Sequence, residues 1–204
     1  ILAAARESKN DDESAPTELA RRFETDFWKD WDRLGCLRPH VVTRVTEHVE
    51  SAIVPYIERI YRQGMAYTID NAGVYFDVRA YEDKLGTRTK YGKLAPPSAA
   101  TDFFSRQAEN DEHNKDDDIR KRDQRDFVLW KLRKPDEALC WSSPWGEGRP
   151  GWHIECSAMI EAVQKQFQDT HHFMVHAGGV DLKFPHHTNE IAQAEAYHAD
   201  AVSE

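Results

Sequence analysis

Apolar residues recur every three or four positions in the first part of the chain, between two residues typical of helix ends. This spacing places them on one face of an amphipathic helix, for which Thr17 is a suitable N-cap and Gly35 a suitable stop. The apolar positions of this first helix are Leu19, Phe23, Phe27, Trp31 and Leu34. Because the stripe is aromatic and regular, we expect it to lie in the core and not at a cofactor site.

A second stretch with the same period follows and ends before Gly64. Pro55 lies inside it, and a proline either kinks a helix or occupies its first turn. The apolar positions of this second helix are Val45, Val49, Ile53, Ile57 and Ile60. We expect the two helices to pack against each other as a hairpin.

The period then changes to one typical of strands. Residues 65–78 contain two short β-prone runs around Asp70-Asn71-Ala72-Gly73, which predicts a β-hairpin. Residues 79–126 lack periodicity and are rich in charge, Ser, Pro and Gly, so we expect a long irregular and partly disordered connection. Residues 125–132 predict a strand or short segment that rejoins the core, and residues 135–151 predict a turn-rich loop.

The last part of the chain predicts an α/β arrangement. Residues 152–167 suit a helix, residues 172–176 suit a short strand, and a further helix is expected to carry Pro185 in its first turn. Helix, strand, glycine loop and helix follow each other in doubly wound parallel sheets. Ligands bind beyond the carboxyl ends of such strands, so the loop from His176 to Asp181 is the expected ligand site.

Composition narrows the class of protein. The chain has 204 residues, 40% of them apolar, which suits one large domain or two small ones. It has no run of eighteen apolar residues, so no transmembrane helix is predicted. The chain starts without an initiator Met or a signal peptide, which indicates a fragment of a longer protein. Three cysteines without regular spacing indicate a reducing compartment and no disulfide framework.

Charge is unevenly distributed along the chain. The net charge of −9 does not suggest a surface that binds nucleic acid. Residues 109–118 are acidic, however, and residues 119–134 are basic. Opposed runs of this kind are typical of a solvated loop, and a specific contact with RNA is the alternative.

Three types of zinc ligand occur in the α/β part of the chain. Cys156 offers a thiolate, and His186 and Glu190 are four residues apart, so they share one face of a helix. His187 and Glu190 are three apart and could also share a face, so the spacing does not choose between the histidines. The alternatives for Cys156 are an inert buried thiol and, less favoured, a nucleophile. A fourth ligand would be water, substrate or a residue outside this chain.

The glycine loop indicates a nucleotide site. Gly178 and Gly179 allow a backbone to approach a ligand closely, and Asp181 could bind a ribose hydroxyl or an amine. A helix that starts near Pro185 would offer free amides to a phosphate. This loop itself has neither the GxGxxG pattern nor a P-loop, so its spacing alone does not specify a nucleotide.

Two longer motifs resemble one family of enzymes. WSSPWGEGRPGWHIECSAM and HAGGVDLKFPHHTNEIAQAEA closely resemble the cysteinyl-tRNA synthetases, which are class I aminoacyl-tRNA synthetases. The match continues upstream through DFVLWK, YGKL, VYFDV and FWKDWDRLG, and VVTRVTEHVE with the charged insertion resembles the eukaryotic branch. The resemblance implies a Rossmann-type catalytic domain split by a connective insertion. Residues 1–124 would form the junction and the mixed α+β insertion, and residues 125–204 the second half of the Rossmann domain.

The resemblance also implies roles for individual residues. The zinc ligands of the family correspond to Cys156, His186 and Glu190, and the fourth is a cysteine in a half of the domain that this sequence does not contain. Cys36 and Cys140 do not correspond to it. The resemblance also implies which residues bind the cysteine and which bind the adenylate. The cysteine pocket is expected to contain Trp152, His153 and His176, and the adenylate is expected to contact Gly179 and Asp181.

The implied reaction has two steps. L-cysteine and ATP, with Mg²⁺, form cysteinyl adenylate, and the cysteinyl group then passes to tRNA(Cys). Zn²⁺ would bind the substrate thiolate, which separates sulfur from the oxygen of serine better than a hydrophobic pocket can. The resemblance implies a cytoplasmic enzyme. The two ATP signature motifs of class I enzymes, H-I-G-H and K-M-S-K-S, are missing, so the chain alone is expected to be inactive.

Three other functions are compatible with the motifs. The mycothiol-pathway ligase that joins cysteine to an amino-sugar inositol has the same fold and zinc but uses no tRNA, and the eukaryote-like insertion argues against it. A zinc hydrolase would need a metal-bound water and a general base such as Glu155 or Glu161. A non-enzymatic module that binds tRNA or a partner would bind RNA weakly and in a salt-sensitive manner, without dependence on zinc.

Overall fold

The computed structural model of the chain describes residues 15–86, 90–95, 120–135, 137, 139–167 and 175–202. Helices and a four-stranded sheet contribute to one main apolar core in these ranges, and a smaller cluster lies on the other side of the sheet. No helix in these ranges is long and apolar enough to cross a membrane.

The first helix, α1, spans Ala15–Arg33. Gly35, two residues after its end, has a φ of 70° in the left-handed region. The helix is therefore confirmed, but its aromatic stripe is not core. Phe23 and Phe27 are each 51% exposed, and Leu34 is exposed as well. The helical period identifies an apolar face but not the surface that covers it, and the described residues leave this face open.

The second predicted helix has three consecutive parts. Helix α2 spans Val45–His48, a π-helical turn spans Val49–Ile53, and helix α3 spans Val54–Arg62. Pro55 lies in the first turn of α3, directly after the π-helical turn, so it marks a first turn at an irregularity in the helix. The apolar face is core as predicted: the residues exposed by 1% or less are Val49, Ile53, Ile57 and Ile60.

The four strands form one antiparallel sheet in the order β1-β2-β3-β4. β1 spans Ala66–Ile69, β2 spans Gly73–Phe76, β3 spans Phe127–Leu132 and β4 spans Gly148–Pro150. The predicted hairpin joins β1 to β2, and Asn71 in its turn has a φ of 62°. Asparagine tolerates this left-handed conformation better than most residues, which explains why the turn could be predicted.

The region predicted to be irregular from residue 79 contains a helix. Helix α4 spans Val78–Leu85, and the Asp77 side chain caps it by accepting a hydrogen bond of 2.9 Å from the backbone N–H of Ala80. The prediction was wrong here because eight residues are too few to show a clear helical period. Most of the remaining connection lies outside the described residues.

Two longer helices form the last part of the chain. Helix α5 spans Trp152–Phe167, as predicted, and helix α6 spans Thr188–Tyr197, directly after a π-helical turn at Lys183–His187. Phe184 is extended, and the helical path runs from Pro185 into α6, so Pro185 lies in the first turn, as predicted. Of the strand predicted at 172–176, residues 172–174 lie outside the described residues, and the last two have no regular structure.

All strand pairs of the described sheet are antiparallel. The doubly wound, parallel sheet was predicted around the strand at 172–176, most of which lies outside the described residues, so that arrangement stays a prediction. β2 precedes residue 124 and β3 follows it, and these two strands pair with each other. The described sheet therefore spans the predicted boundary between 1–124 and 125–204, and the division into two parts stays a prediction.

Contacts between α3, α5 and α6 set the position of the functional residues. The ring of Tyr56 in α3 stacks on that of Tyr197 in α6, with centroids 4.0 Å apart. Arg59 donates a hydrogen bond of 2.8 Å to the backbone oxygen of Tyr197. Ser157 in α5 donates one of 2.6 Å to Gln193 in α6. The first two contacts fix the C-terminal end of α6 to α3, and the third fixes the start of α5 to the middle of α6.

Candidate metal centre and its surrounding histidines

The three predicted metal ligands lie on two helices and on the turn that precedes the second of them. Cys156 is in the second turn of α5, Glu190 is in the first turn of α6, and His186 is in the turn that precedes α6. The hydrogen bond between Ser157 and Gln193 joins the same two helices directly beside them. Residues separated by 30 positions in sequence are thereby brought together.

The ligating atoms of these residues form one cluster. Sγ of Cys156 is 3.6 Å from Nε2 of His186, and the same nitrogen is 3.2 Å from Oε1 of Glu190. The three ligating atoms lie within 4.8 Å of one another. One sulfur, one nitrogen and one oxygen that converge in this way form a donor set that suits zinc.

Burial affects the ligand atoms of the cluster in different ways. Burial lowers the pKa of His186, which keeps its imidazole neutral and able to coordinate. Burial and the nearby charge of Glu190 raise the pKa of the Cys156 thiol to about 12, so the thiol holds its proton without a metal ion. A divalent cation between these groups would reverse that effect, because it stabilises the thiolate directly. The neutral imidazole, the buried carboxylate and the half-buried thiol therefore fit a metal site, with the thiol losing its proton on binding.

His153 lies behind His186. It is 9% exposed, and its Nδ1 is 2.9 Å from Nδ1 of His186. Burial, with the neighbouring His186 as a further cause, lowers the pKa of His153 to about 3, so this ring is neutral at physiological pH. The sequence predicted His153 in the floor of the cysteine pocket. The structure places it against a predicted metal ligand.

His187 and His176 surround the other oxygen of Glu190. Nδ1 of His187 is 2.7 Å from Oε2 of Glu190, and Nε2 of His176 is 3.5 Å from the same oxygen. The spacing in sequence left His186 and His187 as equal candidates for the metal ligand. In the structure His186 faces Cys156, whereas His187 contacts the far side of the carboxylate.

Trp152 covers the cluster from the solvent side. Its side chain is 55% exposed, its ring centroid is 4.7 Å from that of His186, and it stacks on His153 at 5.7 Å. An aromatic surface beside a metal cluster can contact a small ligand bound there.

The glycine loop is exposed and lies against His187. Gly179 and Asp181 are both on the exposed part of this loop. A Cβ added at Gly178 would lie only 2.4 Å from the His187 ring, so the absence of a side chain makes room for that imidazole. The sequence had attributed this close approach to a ligand.

Sequence reasoning did not find the contacts that support the ligands. The pairing of His187 with Glu190 was visible as an i,i+3 spacing but was considered only as an alternative ligand pair. The contact between His153 and His186 spans 33 residues and has no signal in the sequence. Such a contact depends on how α5 packs against the turn before α6.

The two carboxylates considered as a hydrolytic base lie outside the metal cluster. Glu155 lines a cavity of about 460 Å³ that α1 and Arg149 also border. Burial raises the pKa of Glu155 to about 7, and Arg149 partly opposes this shift. Glu161 is paired with His198 at 3.1 Å.

Three arginines in the described part of the basic run are paired with acidic side chains. Arg122 binds Asp77 at 2.9 Å, Arg125 binds Glu82 at 3.0 Å, and the third pair joins Arg133 and Glu147 at 3.2 Å. These arginines stabilise the fold around β3 and do not form an open cationic surface. The acidic run at 109–118 lies outside the described residues.

Comparison with known proteins identifies the class. All 204 residues match the family of tRNA synthetases class I (C), catalytic domain. The chain therefore belongs to this family of class I tRNA synthetases. Within the class its relatives are cysteine–tRNA ligases, which confirms the resemblance seen in the motifs.

Three relatives illustrate the similarity. A probable mitochondrial cysteine–tRNA ligase of Xenopus tropicalis is 45% identical over 90% of this chain and 28% of its own length. The cytoplasmic ligase of Dictyostelium discoideum is 42% identical over 94% and 27%, respectively. A ligase of an Anaeromyxobacter strain is 44% identical over 96% and 36%. The chain thus spans about a third or less of each relative, and eukaryotic and bacterial relatives are equally similar to it.

Proposed function

We propose that this chain supplies the cysteine-recognising part of a cysteine–tRNA ligase. The enzyme would activate L-cysteine with ATP to cysteinyl adenylate and transfer the cysteinyl group to tRNA(Cys). The convergence of Cys156, His186 and Glu190 carries this proposal, together with the names of the relatives. The Rossmann-type fold, the parts 1–124 and 125–204, and a cytoplasmic location belong to the same proposal.

Cys156, His186 and Glu190 would hold Zn²⁺. When bound, zinc binds a substrate thiol as its thiolate and so favours cysteine over serine. The buried side chains around the cluster limit access of water, which strengthens every polar contact within it. Trp152 would contact the bound cysteine with its exposed face, and His176 would lie at the edge of the pocket. Gly179 and Asp181, on the exposed loop, would meet the adenylate and its Mg²⁺-bound precursor ATP.

Zinc binding by the chain tests the ligand assignment. We expect the 204-residue chain to bind one zinc ion, measured by elemental analysis and by competition with a chelator. Cys156→Ala should abolish tight binding, because it removes the one thiolate of the set. Cys140→Ala is the matched control, since Cys140 is another partly buried free thiol and lies outside the cluster. Full zinc occupancy in Cys156→Ala would refute the assignment.

Substrate discrimination tests the proposed role of the site. We expect the zinc-loaded chain to bind L-cysteine much more tightly than L-serine in calorimetry, and to lose this preference in Cys156→Ala. Equal binding of the two amino acids by the zinc-loaded wild type would argue against recognition of cysteine by this cluster.

The complete reaction is tested in a longer protein. In a chimera, this chain replaces the matching segment of the Anaeromyxobacter ligase, to which it is 44% identical. We expect cysteine-dependent ATP–pyrophosphate exchange and charging of tRNA(Cys), both lost in the Cys156→Ala chimera. Exchange without tRNA charging, but with transfer to an amino-sugar inositol, would favour the mycothiol-pathway ligase. Amide cleavage without ATP would favour a zinc hydrolase.

A further inference from the structure

Two histidines contact the predicted zinc ligands without belonging to the ligand set. Nδ1 of His153 is 2.9 Å from Nδ1 of His186, and Nδ1 of His187 is 2.7 Å from Oε2 of Glu190. Each contact uses a different atom of its ligand from the one that joins His186 to Glu190. The arrangement matches a general feature of metal sites, in which outer groups orient the ligating atoms.

The contact between His153 and His186 couples the tautomers of the two rings. Two Nδ1 atoms at this distance share one hydrogen, so one ring donates and the other accepts. Nε2 of His186 faces Cys156 and Glu190 and would bind a metal ion through its lone pair. With the metal ion bound, Nδ1 of His186 donates and Nδ1 of His153 accepts.

The position of the His153 ring is itself fixed. Its edge packs against Phe127 in β3, with centroids 5.8 Å apart and planes nearly perpendicular, and Trp152 stacks on its face. The ring is buried, so no solvent competes strongly for the acceptor nitrogen. The acceptor therefore keeps one orientation relative to His186.

The contact between His187 and Glu190 separates the two carboxylate oxygens. Oε1 faces His186 and the metal cluster, whereas Oε2 accepts a hydrogen bond from Nδ1–H of His187. Gly178 leaves room for the His187 ring in this position. The carboxylate is thereby held with one oxygen directed at the cluster.

We propose that His153 and His187 are positioning residues that hold His186 and Glu190 in the orientation that binds zinc. This inference rests on the proposed zinc site, but it concerns two residues that do not themselves ligate the metal. The group His176, His187 and Glu190 could also be considered as a second metal site. The short hydrogen bond between His187 and Glu190 accounts for that group without a metal ion.

The tautomers in the zinc-loaded chain provide a test that does not depend on affinity. Long-range proton–nitrogen NMR spectra of the zinc-loaded wild-type chain at pH 7 should show His186 protonated at Nδ1 and His153 protonated at Nε2. His187 should be protonated at Nδ1. A His186 ring protonated at Nε2 would overturn the inference for His153, and an unprotonated Nδ1 in His187 would overturn it for His187.

Zinc affinity provides the second test. His153→Leu and His187→Leu should each weaken zinc binding about 10- to 100-fold, measured by chelator competition. His153→Asn and His187→Asn should restore most of the affinity, because an Asn amide can place its polar atom near the position of Nδ1. His198→Leu is the control, since His198 is paired with Glu161 away from the cluster. Circular dichroism confirms that each variant is folded.

The outcomes separate this inference from the proposed function. If Cys156→Ala binds zinc normally, the ligand assignment fails. If Cys156→Ala loses zinc while both leucine variants bind it normally, only the positioning roles fail. A second equivalent of zinc that disappears in His187→Leu would also overturn the role of His187, because that residue would then be a ligand. A wild-type chain without zinc affinity would overturn both the ligand assignment and the positioning roles.

Discussion

The Glu155 side chain lies in a buried environment that disfavours its negatively charged form. Burial raises its pKa to about 7, so the folded chain holds this proton more tightly than the unfolded chain does. The tighter binding of this proton stabilises the folded chain. This stabilisation is fully present below the pKa of the unfolded chain, near 4.5, and is lost as the pH rises through about 7. Glu155, which directly precedes the predicted zinc ligand Cys156, therefore makes the free energy of unfolding depend on pH.

Replacing Glu155 by Gln should remove this dependence. We expect Glu155→Gln to be close to neutral at pH 5 and to stabilise the chain at pH 8 by on the order of 2 kcal/mol, because the amide never ionises. Urea unfolding at both pH values measures the difference. Glu50→Gln, at an exposed position, should show no such change. Equal effects of Glu155→Gln at pH 5 and pH 8 would contradict the prediction.

The absence of a side chain at Gly178 makes room for the imidazole of His187. Gly178→Ala would place a methyl group 2.4 Å from the His187 imidazole, so the ring must move away from Glu190. We expect zinc affinity to fall about tenfold in chelator competition, with little loss of global stability, because the loop is exposed. Gly179→Ala is the matched control, since its methyl group would meet only the flexible end of Asp181. Unchanged affinity in Gly178→Ala would contradict this prediction.

Among the helices, the same apolar period has two different outcomes. Ile57 in α3 is fully buried, whereas Phe27 in α1 is half exposed. We expect Ile57→Ala to lower the free energy of unfolding by about 3 kcal/mol, because it leaves a cavity in the core. Phe27→Ala should cost less than about 1 kcal/mol. Urea denaturation of the two variants compares them, and a similar cost for both would show that the stripe of α1 is covered in solution.

Helices and strands could be predicted where the apolar period extends over many residues, or where a residue typical of turns marks the end of the element. Helices α1 and α5 and the β1–β2 hairpin have such signals, namely a sustained period or an Asn in the turn. Helix α4 and strand β4 have eight and three residues, which is too short for a period to appear. The start of the last helical segment was predictable because Pro185 lies in its first turn, where proline is common.

At the scale of the whole molecule, Asp126 joins elements that are distant in sequence. Its buried carboxylate accepts hydrogen bonds from Tyr67 Oη–H at 2.8 Å, from Val78 N–H at 2.9 Å and from Asp123 N–H at 3.0 Å. Through these bonds the start of β3 is tied to β1 and to the first residue of α4. Burial raises the pKa of Asp126, although the hydrogen bonds oppose that shift.

Removing this carboxylate should destabilise the whole fold. We expect Asp126→Ala to lower the free energy of unfolding by about 3 kcal/mol, because it leaves several buried donors without an acceptor. Asp126→Asn, which keeps one acceptor oxygen, should cost less. Asp83→Ala, on the exposed side of α4, should change stability by less than about 0.5 kcal/mol. A loss for Asp126→Ala no larger than this would contradict the prediction.

The sequence by itself determined the local features of this protein. The helical period produced α1, α3 and α5, and the residue types in two motifs determined both the family and the candidate donor set. These properties need only neighbours along the chain, since a period or an i,i+4 pair is set by backbone geometry. They do not depend on which elements pack together.

The tertiary structure decided what each feature faces. It left the aromatic stripe of α1 open, directed His186 and not His187 at Cys156, and placed His153 behind His186. It also placed Gly178 against a protein side chain instead of a ligand. The physical reason is that burial and contact depend on the packing of elements tens of residues apart. That packing is a sum of many small contacts, none of which is visible in a local stretch of sequence.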